Sequence, residues 1–112
     1  MSDITGTWAF NGNGSTGRLL IFNMDAQGNL DVRVRFDGLD REDQWRGVWD
    51  DNSKAISLVR SLPNNVTQDH AGFLGDNDPE NLILAGSFTE SDVSGPRSNF
   101  GWFAQWSSQI IP

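Results

Sequence analysis

His70 is the single histidine of the 112-residue sequence and its one side chain that titrates near neutral pH. Asp69 stands beside it, but successive side chains of a strand point to opposite faces, so the two cannot form a direct relay. A lone histidine on a strand is a packed or surface residue before it is a catalyst. The run Asp76-Asn77-Asp78-Pro79-Glu80 superficially suggests a calcium loop. It lacks the central glycine and distant glutamate of the EF-hand pattern, which favours a solvated hairpin. Cysteine is absent, so neither a disulfide framework nor a thiolate metal site is possible. No Ser/His/Asp order, phosphate-cradling loop or nucleophile elbow can be read. With no acid–base pair to assemble, the chemistry expected is recognition rather than catalysis: no enzyme, no metal and no cofactor.

Two sets of residues could recognise a small molecule. Asn11, Asn13 and Ser15 cluster in Asn11-Gly12-Asn13-Gly14-Ser15 and could supply polar ligands. The plainer reading is a loop that needs small, turn-forming residues. The second set is aromatic, drawn from five Trp and seven Phe with no Tyr. Trp45 and Trp49 share one face of a strand, and Trp102 and Trp106 share one face of another. Facing inward they line or fill a lumen; facing outward they demand a partner. Phe103 opposes Trp102, so both faces of that strand are heavy and one must leave the interior. That asymmetry points to a homodimer or homotetramer. The candidate ligand-binding residues are Asn11, Asn13, Ser15, Trp45, Trp49, His70 and Trp102.

The elements that position them are strands. Ile4, Gly6, Trp8 and Phe10 alternate with Thr5, Thr7, Ala9 and Asn11, giving a strand over 4–11 with one buried face. Three glycines within six residues then make 12–17 a loop. A dense apolar run over 18–24 is followed by turn chemistry over 25–29, with Gly28 placed for a positive φ. Over 30–36, Leu30, Val32, Val34 and Phe36 face in while Asp31, Arg33 and Arg35 face out, a period of two that excludes helix. Further strands are expected over 44–49, 54–62, 66–74, 82–88 and 100–106. The connections are a charged loop at 37–43, turns at 50–53, 63–65 and 75–81, and a longer loop at 89–99.

Eight short strands with hairpin-length connections and no 3.6-residue period predict an all-β, eight-stranded antiparallel meander. Closure into an up-and-down barrel is favoured over a sandwich because it removes both edges. The loops after strands one, three, five and seven share one end and include the longest, so the ligand mouth is expected there. Residues 1–112 are expected to form one domain. A net charge of −7, with one Lys and seven Arg, disfavours nucleic acid and anionic membrane as partners. No signal-type segment or long apolar run is present, and a cytoplasmic protein is the simplest reading; a mature secreted chain lacking its signal would look the same.

The opening stretch resembles the avidin and streptavidin family, and more broadly the calycin barrels. Ile4-Thr5-Gly6-Thr7-Trp8 is similar to the first strand of the streptavidin-like members, and Gly6-Thr7-Trp8 carries the Gly-x-Trp signature that lipocalins share. The resemblance implies that Trp8 plugs the closed end of the barrel. In that family an Asn near the end of strand one and a Ser at the start of strand two hold the ureido oxygen of biotin. The Asn-x-x-Gly-Ser spacing recurs at Asn11 to Ser15, one residue further from the tryptophan. Other family ligands have no counterpart: the Tyr-x-Ser of strand three meets Val32-Arg33-Val34-Arg35, and the Ser-x-Thr-x-Trp of strand six meets Thr67-Gln68-Asp69-His70-Ala71. Gln105 stands near the place of the last-strand Asp. Each missing bond in a buried polar site costs about 1–3 kcal/mol. The expectation is therefore an avidin-like barrel that binds a small neutral ligand at its mouth, or has lost its site, without tight biotin binding. The alternative is an interaction domain that forms a homo-oligomer through outward aromatics.

Overall fold

The computed structural model describes residues 4–75 and 81–108, with 96–98 described by backbone alone. The eight strands are β1 (Gly6–Gly12), β2 (Ser15–Met24), β3 (Asn29–Phe36), β4 (Asp43–Asp50), β5 (Ala55–Leu62), β6 (Val66–Gly75), β7 (Ile83–Asp92) and β8 (Gly95–Ser108). Each pairs antiparallel with the next, and β8 pairs back onto β1, so the sheet is a closed up-and-down barrel. The closing seam sets Trp8 against Trp106, Phe10 against Ala104 and Gly12 against Trp102.

Alternation decides which side chains fill the barrel. On β3, Leu30, Val32 and Val34 are buried, while Arg33 and Arg35 lie outside and pair with Glu42. On β8, Trp102 and Ala104 are buried and Phe103 between them is 51% exposed, which resolves the two heavy faces of that strand. Trp45 and Trp49 both point inward. Trp8 is fully buried, and its indole N–H donates to the Ile4 carbonyl at 3.0 Å. An indole buried in this way removes about 150–250 Å² from water, worth up to about 4–6 kcal/mol at roughly 25 cal/mol/Å². Exposed ion pairs such as Arg35–Glu42 contribute about 0–1 kcal/mol, so the aromatic filling dominates the stability.

Two connections differ from the sequence expectation. The glycine-rich loop expected at 12–17 shrinks to Asn13-Gly14, because Gly12 pairs with Ser15, Asn11 with Thr16 and Phe10 with Gly17. Asn13 and Gly14 have φ of 52° and 92°, the two successive positive values that a tight hairpin of matching twist requires. Gly17 is held in the strand by pairing with Phe10 and Phe36, and only glycine fits there because a Cβ would lie 2.5 Å from the Arg35 carbonyl oxygen. The long loop expected at 89–99 is likewise strand: β7 and β8 continue to a hairpin at Val93-Ser94, with a register shift between Glu90 and Ser91. Three of the four connections at the end expected to be ringed by long loops are therefore short. The acidic run 76–80, with its superficial likeness to a calcium loop, lies outside the described residues.

At the opposite end, Asp25 holds the β2–β3 turn by accepting from the Gln27 and Asn29 amides at 3.0 and 2.8 Å. The Asn29 side chain first, and backbone amides after it, keep the Asp25 carboxyl below its usual range. Gly28 takes the expected positive φ, 88°, where a Cβ would run into the Trp49 carbonyl.

Candidate ligand site at the open end of the barrel

The inward face of each strand changes character as it nears the end carrying the β1–β2, β3–β4, β5–β6 and β7–β8 turns. On β5 the series Ile56, Leu58 continues to Arg60; on β6 Leu74, Gly72, His70 lead to Gln68; on β7 Leu84 and Phe88 lead to Glu90. These residues meet around a cavity of about 230 Å³, walled by Phe10, Phe36, Trp45, Phe88 and Phe100 and rimmed by Gly12, Asn13 and Ser15. A larger recess of about 670 Å³ lies outside the barrel wall, against Thr7, Ala9, Asn11 and Arg18, and is separate from the lumen.

A polar rim runs across four strands. Arg60 and Gln68 are directly paired across β5 and β6, and Gln68 and Glu90 across β6 and β7. Arg60 donates through Nη1 to Gln68 Oε1 at 3.3 Å, and Gln68 Nε2 donates to Glu90 Oε1 at 3.1 Å. The other guanidinium nitrogen, Nη2, is 2.9 Å from Asp43 Oδ2. The guanidinium also lies over the Phe36 ring at 4.9 Å and near the Trp45 ring at 5.9 Å. It is thereby fixed in both position and plane.

Beneath the rim lies an aromatic layer centred on His70. Its ring stacks on Phe88 with centroids 4.5 Å apart, lies 4.7 Å from Trp45 and meets Trp102 edge-on at 5.8 Å. Burial, aided by the charge of Arg60, lowers the His70 pKa to about 4, so the ring is neutral at physiological pH. The Gln68 backbone pulls weakly the other way. Three buried atoms at this site have no hydrogen-bond partner among the described residues: Trp45 Nε1, Arg60 Nε and His70 Nδ1. Buried polar atoms are nearly always satisfied, so three unsatisfied ones around one cavity leave hydrogen-bonding capacity open there.

The structure brings four of the seven candidate residues to this cavity: Asn13, Ser15, Trp45 and His70. Asn11 lies on the outer face, where its Oδ1 accepts the Gly14 amide at 2.8 Å, and Phe10 takes the inward place beside it. Trp49 is inward but at the other end, with its indole N–H donating to Asp51 at 3.2 Å. Trp102 is inward and spent: its N–H donates to the Ser87 and Ala71 carbonyls at 3.1 and 3.3 Å. Sequence reasoning did not single out Arg60, Gln68 or Glu90. Their signal is parity, since each sits two residues from a buried side chain, on its mouth side: Arg60 after Leu58, Gln68 before His70 and Glu90 after Phe88.

Arg60 carries one positive charge, Asp43 and Glu90 two negative ones, and His70 none. No nucleophile lies against an activating base in this set, and among the described residues no group of three or more His, Asp or Glu could hold a metal ion. The arrangement can enclose a small molecule and hydrogen-bond to it.

No protein-family model matches the sequence, and no curated protein is similar to it in sequence. Solved structures do match in shape. A biotin binding protein from chicken superposes with a TM-score of 0.70 at 9% identity, over 94% of this chain and 97% of that one. The biotin complex of rhizavidin gives 0.67 at 16% identity, covering 98% and 97%. A low-affinity mutant of shwanavidin gives 0.67 at 20%, covering 95% and 98%. The likeness spans the whole barrel and is one of fold: this chain is an avidin-like, eight-stranded antiparallel barrel.

Proposed function

We propose that the protein is a non-enzymatic binding module that takes a small neutral molecule into the open end of the barrel, without tight affinity for biotin. The observation that carries this reading is the trio of unsatisfied buried atoms, Trp45 Nε1, Arg60 Nε and His70 Nδ1, around an aromatic-walled cavity. Two of the similar structures are named for biotin binding, and biotin is the first ligand to test. Weak binding is expected because Asn11 turns its amide to the outer hairpin while the Phe10 ring occupies the inward wall. Isothermal titration with biotin and with a panel of neutral cyclic amides and sugars tests the reading. A dissociation constant for biotin above about 1 µM, with heat from at least one panel member, is the expected result. Silence from the whole panel would remove the binding role.

A second reading rests on the outer wall. Phe73 is 64% and Phe103 51% exposed, Ile83 is also exposed, and Ala85 lies between Phe73 and Phe103 in register. The outward residues Ala71, Phe73, Ile83, Ala85, Ser87, Gly101, Phe103 and Gln105 carry no charge, whereas the outward faces of β2 to β4 carry Arg18, Arg33, Arg35 and Arg46. Such a face suits a second copy of the chain in a homodimer or homotetramer. Light scattering on the purified protein tests it, and a clean monomer at concentrations up to about 100 µM would sink it.

A further inference from the structure

We infer that the ligand is a neutral, single-ring amide whose carbonyl oxygen is taken by a donor pair on the β4–β5 wall, Trp45 Nε1–H and Arg60 Nε–H. This rests on the binding reading above and names the chemistry of that site.

The two groups are donors only, so whatever they share must be an acceptor. Trp45 is 2% exposed, and water has little access to its indole nitrogen. Arg60 is held by Gln68 through Nη1 and by Asp43 through Nη2, which leaves its Nε edge as the one unsatisfied part of the guanidinium. The guanidinium carbon lies 5.9 Å from the centre of the Trp45 ring, so the two residues are neighbours on the β4–β5 wall, and one shared ligand oxygen is assigned to both. Across the lumen, β1 presents the Phe10 ring, and the Asn11 amide is spent on the Gly14 N–H outside. The acceptor-binding corner is therefore on β4–β5.

Charge selects between a carboxylate and an amide. Asp43 balances Arg60, and Glu90, reached through Gln68, adds a further negative charge at the rim. No surplus positive charge draws an anion in, so the oxygen belongs to an uncharged group. His70 Nδ1 is the third unsatisfied atom, and its ring, 4.7 Å from Trp45, is placed to pair with the amide nitrogen of the same ligand. The cavity of about 230 Å³ falls below the range of about 300–1,000 Å³ that takes drug-sized ligands, which fits one ring and its substituent between Phe10, Phe36, Phe88 and Phe100.

The test titrates the full chain with benzamide, benzoate and α-methylstyrene, three probes of one shape that carry a neutral carbonyl, a carboxylate and no acceptor. Binding is followed at the indole N–H resonances, with Trp45→Phe and Arg60→Met as variants. Benzamide should bind about tenfold or more tightly than either analogue and move the Trp45 indole proton downfield, and each variant should weaken benzamide about tenfold more than it weakens α-methylstyrene. The wild-type shift and Arg60→Met decide the matter if Trp45→Phe does not fold. Benzoate or α-methylstyrene binding as well as benzamide, or benzamide indifferent to both variants, overturns the donor pair while leaving the cavity a binding site. Resonances unmoved by all three probes overturn the pair and the binding reading together.

Discussion

His70 and Phe88 are directly paired across β6 and β7, and their rings lie 4.5 Å apart within 20° of parallel. A ring packed in this way accepts a proton reluctantly, which makes stability depend on pH. The folded pKa of about 4 lies below the unfolded value of 6.5. Above pH 6.5 both states are neutral and the contribution is fully present. As pH falls from 6.5 to about 4 the unfolded chain takes a proton that the folded chain refuses, so stability drops; below that it levels off. The gap corresponds to about 3 kcal/mol. Urea unfolding between about pH 7.5 and pH 4 should show this fall in the wild type and lose that part of it in His70→Leu, with equal slopes in both proteins sinking the assignment.

Asn11 and Trp45 should separate cleanly by substitution. Asn11→Ala removes the acceptor of the Gly14 amide and should cost about 0.5–1.5 kcal/mol in stability with ligand affinity unchanged. A loss of affinity in Asn11→Ala, measured by titration with any ligand that binds the wild type, would return that residue to the site.

Gly86 lies against its β6 neighbour so closely that a Cβ would run into the Ala71 carbonyl oxygen. Gly86→Ala should cost at least about 2 kcal/mol or abolish soluble folded protein. Gly101, whose Cβ would meet only the Gly86 carbonyl oxygen at 4.0 Å, provides the control. Gly101→Ala should change the stability measured by denaturant unfolding by less than about 0.5 kcal/mol.

Phe103→Glu places a charge in the centre of the uncharged outer face. If that face joins copies of the chain, sedimentation should show the wild type as an oligomer and the variant shifted toward monomer, with the thermal midpoint of a dilute sample little altered. An oligomer that survives Phe103→Glu and Phe73→Glu together would use another surface.

Much of the barrel could be read from the sequence because its evidence is local. The alternation of Leu30, Val32 and Val34 with Asp31, Arg33 and Arg35 needs no partner strand to interpret, and Gly28 announces its turn by itself. The mouth was less legible because strand extension there depends on cross-strand bonds. Gly12 and Ser15 to Gly17 read as loop by composition, yet they are strand because β1 and β2 pair up to Asn13. Glu90 was hidden the same way inside a supposed loop. Parity put Trp45 with Trp49, and Trp102 with Trp106, on shared faces, but it carries no information about which face turns inward or about height along the barrel axis, and height is what separates Trp49 and Trp102 from Trp45. Arg60 and Gln68 broke the apolar pattern of their inward faces and so did not register as lining.

The seam between β1 and β8 also governs how the chain comes to be folded. Trp106 donates its indole N–H at 3.4 Å to the carbonyl of Thr5, 101 residues earlier, and Trp8 pairs with Trp106 itself. Seven of the eight ladders join sequence neighbours and can assemble as hairpins in order. The eighth waits for the last strand, and until it forms β1 keeps an unpaired edge beside its buried tryptophan. Folding should therefore end in a slow, late closing step on the millisecond-to-second scale of non-local β pairing, and the open sheet before it is the species most exposed to joining another chain.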